Sequence, residues 1–138
     1  MSNFEQFMKK NKVKVENVKY PVTASLQDEN GEPLLWELRA VPTKERHVLT
    51  DECTYVKQTE SGEVTELDNN LLMRKVAAAA VVYPNLRDKA LQDSYGVITP
   101  EDLIVEMVDC AEEFTALMVM VNKYGKVNIK KEINEAKN

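Results

Sequence analysis

The chain changes its hydrophobic period several times, and each change marks an element. Near the start, Ser2 with Glu5 three residues on forms a capping box, and Phe4, Phe7 and Met8 share one face of a short helix. From Val18 the period becomes two. Val18, Tyr20, Val22, Ala24 and Leu26 alternate with Lys19, Pro21, Thr23, Ser25 and Gln27, a half-buried strand in which Pro21 requires an edge position or a bulge. Leu34, Trp36, Leu38 and Ala40 form the apolar face of a second strand. A two-residue Asn30-Gly31 turn would set Leu26 opposite Leu35 and send the two apolar sets to opposite faces. A three-residue loop, Glu29-Asn30-Gly31, instead pairs Leu26 with Leu34, Ala24 with Trp36 and Val22 with Leu38, with Gly31 in the left-handed bulge position. The second register is expected.

Val41-Pro42-Thr43 ends the strand and opens a helix to Cys53, with Pro42 or Thr43 at its start. Thr54 to Leu67 follows, rich in threonine and glutamate around Ser61-Gly62. With only Val56, Val64 and Leu67 as apolar anchors, it predicts a largely exposed hairpin or ribbon. Asp68 caps a helix from Leu71 to Tyr83 that is apolar nearly all round and therefore central, ended by Pro84-Asn85. Asn85 or Asp88 starts a short helix closed by Gly96, and Thr99-Pro-Glu-Asp102 is a strong helix start. Asp109 with Glu112 repeats the cap-and-acid pattern, so the last helical stretch divides near Asp109 if that cap is used; its pattern ends at Tyr124-Gly125. The sum is an α+β fold, an N-terminal antiparallel hairpin with a short extra ribbon, packed against a predominantly helical C-terminal half. Residues 1–125 are expected to form one domain and 126–138 a lysine-rich, flexible tail.

Composition narrows this. At 138 residues the chain has room for one core and not for separate cofactor and substrate domains. The longest apolar run, Val76 to Tyr83, falls far short of the ~20 residues that span a bilayer, so no membrane association is expected. The first residues lack an export signal, which predicts a cytoplasmic location. The net charge of −5 is unevenly spread. Residues 1–19 carry +3 and residues 122–138 carry +3, leaving −11 in between. Basic ends around an acidic body admit head-to-tail stacking into a homo-oligomer, tails lying on acidic helices, or lysines that merely keep the termini soluble. Neither end has arginine with interleaved aromatics, so no nucleic-acid partner is expected.

Chemistry is scarce. His47 is the single histidine, Cys53 and Cys110 are far apart without a CxxC, and four glycines form no phosphate-cradling loop. Asp28, Glu29, Asn30 and Glu32 slightly resemble a calcium loop, but the EF-hand spacing is missing. Carboxylate pairs such as Glu101-Asp102 and Glu112-Glu113 sit in helix first turns, where the macrodipole accounts for them. No catalytic residue, cofactor or metal is therefore expected, and an enzyme would need an unrecognised pocket around His47 or the 28–32 turn. What remains is surface. Leu117-Met-Val-Met-Val121 is five consecutive apolar residues on a helix, more than one buried stripe can cover. Met107, Phe114, Leu117, Met118, Met120 and Val121 are the candidate partner-binding residues, the methionines suiting an adaptable surface; the alternative is a helix sandwiched in the core or in a homodimer.

Two stretches carry a family resemblance: Asn3-Phe-Glu-Gln-Phe-Met-Lys-Lys-Asn-Lys-Val-Lys-Val-Glu-Asn-Val-Lys-Tyr20, and Tyr83-Pro-Asn-Leu-Arg-Asp-Lys-Ala-Leu-Gln-Asp-Ser-Tyr-Gly-Val97. Both resemble the XkdN-like tail assembly chaperones of phages and defective prophages in Bacillus and related bacteria. Leu-Gln-Asp-Ser-Tyr-Gly-Val is the most specific part, and the Trp36-Glu37 strand and the Thr99-to-Asp102 cap also fall where the family has them. The resemblance implies a non-enzymatic helper in the host cytoplasm that binds the tape measure protein, keeps it soluble, assists loading of the tail-tube protein and is left out of the mature particle. The competing reading is a structural tail or baseplate subunit retained in the particle. The resemblance transfers no site residue. Pro84, Asn85 and Gly96 match the motif, but tight-turn geometry between helices explains them without any partner.

Overall fold

The computed structural model describes residues 3–123. Ser2 of the capping box, the helix end at Tyr124-Gly125 and the tail 126–138 lie outside the described residues. The order is α1 (Asn3–Gln6), a 3-10 turn (Lys9–Asn11), β1 (Val18–Tyr20), β2 (Trp36–Leu38), α2 (Thr43–Glu52), β3 (Thr54–Thr59), β4 (Gly62–Leu67), α3 (Asn69–Ala80), β5 (Val81–Tyr83), α4 (Lys89–Ser94), α5 (Pro100–Met107) and α6 (Ala111–Lys123). The α+β class holds, with the hairpin at the N-terminal end and helices dominating the second half.

The hairpin turn forms as its spacing requires. Gly31 has φ of +81°, Gln27 bridges Pro33, and the Leu34 N–H donates to the Leu26 carbonyl at 2.8 Å. Farther from the turn the pairing slips by four, so that Tyr20 faces Trp36 and Val18 faces Leu38. This corrects the expected pairing of Ala24 with Trp36 and Val22 with Leu38. Residues 21–25 leave the ladder, beginning at Pro21, which has no N–H to donate. An even slip keeps the face of every remaining side chain, so Trp36 and Leu38 still point into the core.

A second correction concerns the central helix, expected to reach Tyr83. It ends at Ala80, and Val81–Tyr83, β-branched and aromatic and followed by proline, forms a strand antiparallel to β2. The sheet order is β1-β2-β5, with a register shift between Glu37 and Leu38. Trp36 and Leu38 pack with Val76, Ala77 and Ala80 of α3, Leu103, Ile104 and Met107 of α5, and Leu117 and Val121 of α6, in one cluster.

The helix signals are used as chemistry dictates. Asp68, Asp88 and Thr99 each accept a backbone N–H three residues on. Asp88, not Asn85, is the cap of α4; the Asn85 side chain accepts from Arg87 N–H instead. Helices α5 and α6 are separate, divided around Asp109. The β3–β4 ribbon pairs only with itself among the described residues, from Thr54↔Leu67 to Thr59↔Gly62, and contributes nothing to the core cluster.

Candidate functional site

Helix α6 carries the apolar run Leu117 to Val121 and is fastened at both ends. At its first turn Glu113 receives the Thr23 hydroxyl at 2.7 Å and the Ala24 N–H at 2.8 Å, both from the excursion that breaks the β1 ladder. Those two bonds hold the Glu113 carboxylate below the usual glutamate pKa, against a smaller opposing effect of burial. Near the other end Asn122 accepts from Arg46 of α2 at 2.8 Å. Thr23 is itself buried, and Val22 beside it enters the core. The excursion therefore exchanges strand pairing for a polar clamp on α6.

Between those fastenings the helix shows two sides. Leu117 and Val121 are buried in the core, as is Met107 on α5, so these three supply no monomer surface. Phe114 and Met118 are half-buried against the core, Met120 is half-buried, and Val119 is 59% exposed. The five-residue run is thus split by the 3.6-residue period, with Met118 and, one turn earlier, Phe114 on one flank of the buried stripe and Met120 on the other.

A groove of about 590 Å³ lies across α3, between α2 and the start of α5. Leu49, Ala78, Ala79, Val81 and Leu86 give it an apolar lining, the alanines allowing close approach to the α3 backbone. Its rim is charged, with Arg39, Lys75 and Arg87 against Glu45, Glu52 and Glu101. Arg39 donates to Glu45 at 2.6 Å, and Lys75 lies 3.2 Å from Glu52 and 4.0 Å from Glu101. The Glu52 bond raises the Lys75 pKa, partly offset by burial. Sequence periodicity missed this groove, because its walls come from three helices and the α3–α4 connection.

The reactive side chains are dispersed. His47 is exposed on α2 and does not line the groove. Cys53 is buried, which pushes its thiol pKa up, while Cys110 is exposed. In the 28–32 turn Asp28 accepts from the N–H groups of Asn30 and Glu32, which commits that side chain to the turn. Among the described residues no group of three or more histidine, cysteine, aspartate and glutamate side chains is placed to hold a metal ion, and no helix is long and apolar enough to cross a membrane.

Comparison with known proteins gives this arrangement a context. The model of a family described as phage XkdN-like tail assembly chaperone protein matches residues 4–137. Among curated proteins, the chain is 24% identical to the phage-like element PBSX protein XkdN of Bacillus subtilis (strain 168), over 78% of this chain and 74% of that protein. It is 26% identical to YqbN of the same strain, over 78% of this chain and 73% of that protein. Among solved structures, the crystal structure of YqbN superposes with a TM-score of 0.72 at 18% identity, covering 93% of this chain and 99% of the other, so the fold is shared.

Proposed function

Because the chain belongs to the family of phage XkdN-like tail assembly chaperones, we propose that it acts by holding the tape measure protein in soluble form while the tail tube is assembled on it. The family match across residues 4–137 is the observation that carries this reading. A chaperone of this kind needs adhesive surface rather than reacting groups, and the apolar surface described above fits that need. Contact with the partner is assigned to the two flanks of the solvent face of α6, at Phe114 and Met118 on one and Met120 on the other, with Met107, Leu117 and Val121 holding the helices to the core beneath. Burying the still exposed half of two or three such side chains would contribute roughly 0.7–1.5 kcal/mol each before ordering costs. The work is done in the host cytoplasm, and the protein leaves before the particle is complete.

Co-expression with the neighbouring tape measure gene tests this. The expected result is that the partner becomes soluble and co-purifies with the chain, while purified particles lack the chain. A partner that stays insoluble and uncaptured would refute the reading. Recovery of the chain from purified particles at fixed stoichiometry would also refute it, in favour of a structural subunit.

A further inference from the structure

The groove across α3 is lined by polar groups that the fold itself does not use. Arg39 is taken by Glu45, and Lys75 by Glu52 and Glu101, so every acid of the rim is engaged by one of two cations. The third cation is left over. The Arg87 guanidinium enters no ion pair and donates no hydrogen bond among the described residues; only its backbone N–H is used, by the Asn85 side chain at 3.0 Å. Two further donors share its position. Asn85 commits its side-chain oxygen to that N–H, and Thr99 its hydroxyl oxygen to the Asp102 N–H at 3.2 Å, which leaves the Asn85 amide N–H groups and the Thr99 hydroxyl proton without an acceptor among the described residues.

Local geometry explains the neighbours of Arg87 but not Arg87. In the stretch Tyr83 to Val97, the Asn85 oxygen holds a turn, Gly96 has φ of +70°, and Lys89 pairs with Asp93 at 2.9 Å within α4. The Arg87 side chain stabilises none of these. It lines the same groove as Ala78, Ala79, Val81 and Leu86, so one uncommitted positive charge accompanies an apolar floor.

The shape and the charge together select a class of occupant. At about 590 Å³ the groove matches sites that take small ligands, ~300–1,000 Å³, but those sites enclose most of their ligand, and this one is an open trough along a helix. A chain segment lying across the trough suits it better. Its apolar side chains would rest on the alanines, and a carboxylate would be received by Arg87 in a forked pair, with Asn85 as a further donor. A basic segment would meet Arg87 unpaired and find every rim acid already engaged.

We propose that this groove is a second docking site for the client, selective for segments in which a carboxylate neighbours apolar side chains, with Arg87 setting the selectivity. The site is separate from the flanks of α6, because Phe114, Met118 and Met120 do not line it. It rests on the reading that the chain holds a client, and it adds which parts of that client are held.

The test titrates overlapping short peptides that span the tape measure protein against the purified full chain. Peptides bound by the parent are expected to include ones with an aspartate or glutamate among apolar residues, and exchanging that carboxylate for its amide should weaken their binding roughly tenfold. The same exchange should make no difference to the Arg87→Gln chain, since the pair is lost only once in such a cycle. Arg87→Lys, which keeps the charge without the fork, should fall between. Arg87 is exposed, so the three chains should share one Tm by circular dichroism. An exchange that weakens binding to the parent and to Arg87→Gln equally, or bound peptides that all lack a carboxylate, would overturn the proposal. So would peptides that bind only after residues 124–138 are removed, which would make the chain's own end the occupant. Arg87→Gln that alters association between copies and leaves peptide binding unchanged would assign the groove to a second copy and overturn it too. In each case a client that still becomes soluble on co-expression leaves the client reading standing, whereas a client that stays insoluble and uncaptured defeats that reading and this proposal with it.

Discussion

Replacing Leu117 by alanine separates the two roles that the run Leu117 to Val121 could play. Leu117 is fully buried, so the change removes three carbons from a packed site. At ~0.8 kcal/mol for each buried carbon the transfer loss is ~2.4 kcal/mol, and the unfilled cavity brings the cost to about 2–5 kcal/mol. Unfolding entropy of ~2.1 cal/mol/K per residue, over roughly 120 ordered residues, converts each kcal/mol to ~4 °C. Leu117→Ala should therefore lower Tm by about 8–20 °C in a thermal scan followed by far-UV circular dichroism. Leu117→Met, which conserves volume, should cost less than ~1.5 kcal/mol. Val119→Ser, two residues away and exposed, should stay within ~0.5 kcal/mol of the parent. Equal Tm values for Leu117→Ala and Val119→Ser would refute the division of α6 into a core side and a solvent side.

The clamp on α6 predicts a pH effect. The Glu113 pKa is lowered by folding, so its contribution is present above the ordinary glutamate value of ~4.3 and is lost as pH falls through the lowered folded value. Glu113→Gln should be less stable than the parent at neutral pH, and the gap between them should close on acidification; a gap independent of pH would contradict the clamp. Thiol labelling of the native protein should modify exposed Cys110 rapidly and buried Cys53 only after denaturant is added, as counted by mass spectrometry; equal rates would place Cys53 outside the core.

Local chemistry was legible wherever it decided the structure. The Gly31 bulge turn, the caps at Asp68, Asp88 and Thr99, the exposed ribbon and the split near Asp109 are all set by residues within a few positions of one another. What could not be read depends on distant partners. The slip of the hairpin by four answers to Glu113, 90 residues from Thr23. The strand β5 reads as the end of an apolar helix until β2 is available to pair with it, because Val81 and Val82 continue the hydrophobic run of α3. The same limit applied to α6. Periodicity located its apolar run, but only packing shows that Leu117 and Val121 face inward and Val119 outward.

The junction between α3 and β5 has a mechanical consequence. The helix ends at Ala80 and the strand begins at Val81 with no connecting loop, while the Ala80 carbonyl accepts the Arg39 N–H at 2.8 Å. Helix and strand are therefore a single lever pinned at its bend. Ala78 and Ala79 on one arm line the groove, and Val81–Tyr83 on the other arm completes the sheet that carries Trp36. No loop residue stands between the groove wall at Ala78–Ala79 and the sheet edge to take up a change in the direction of either arm.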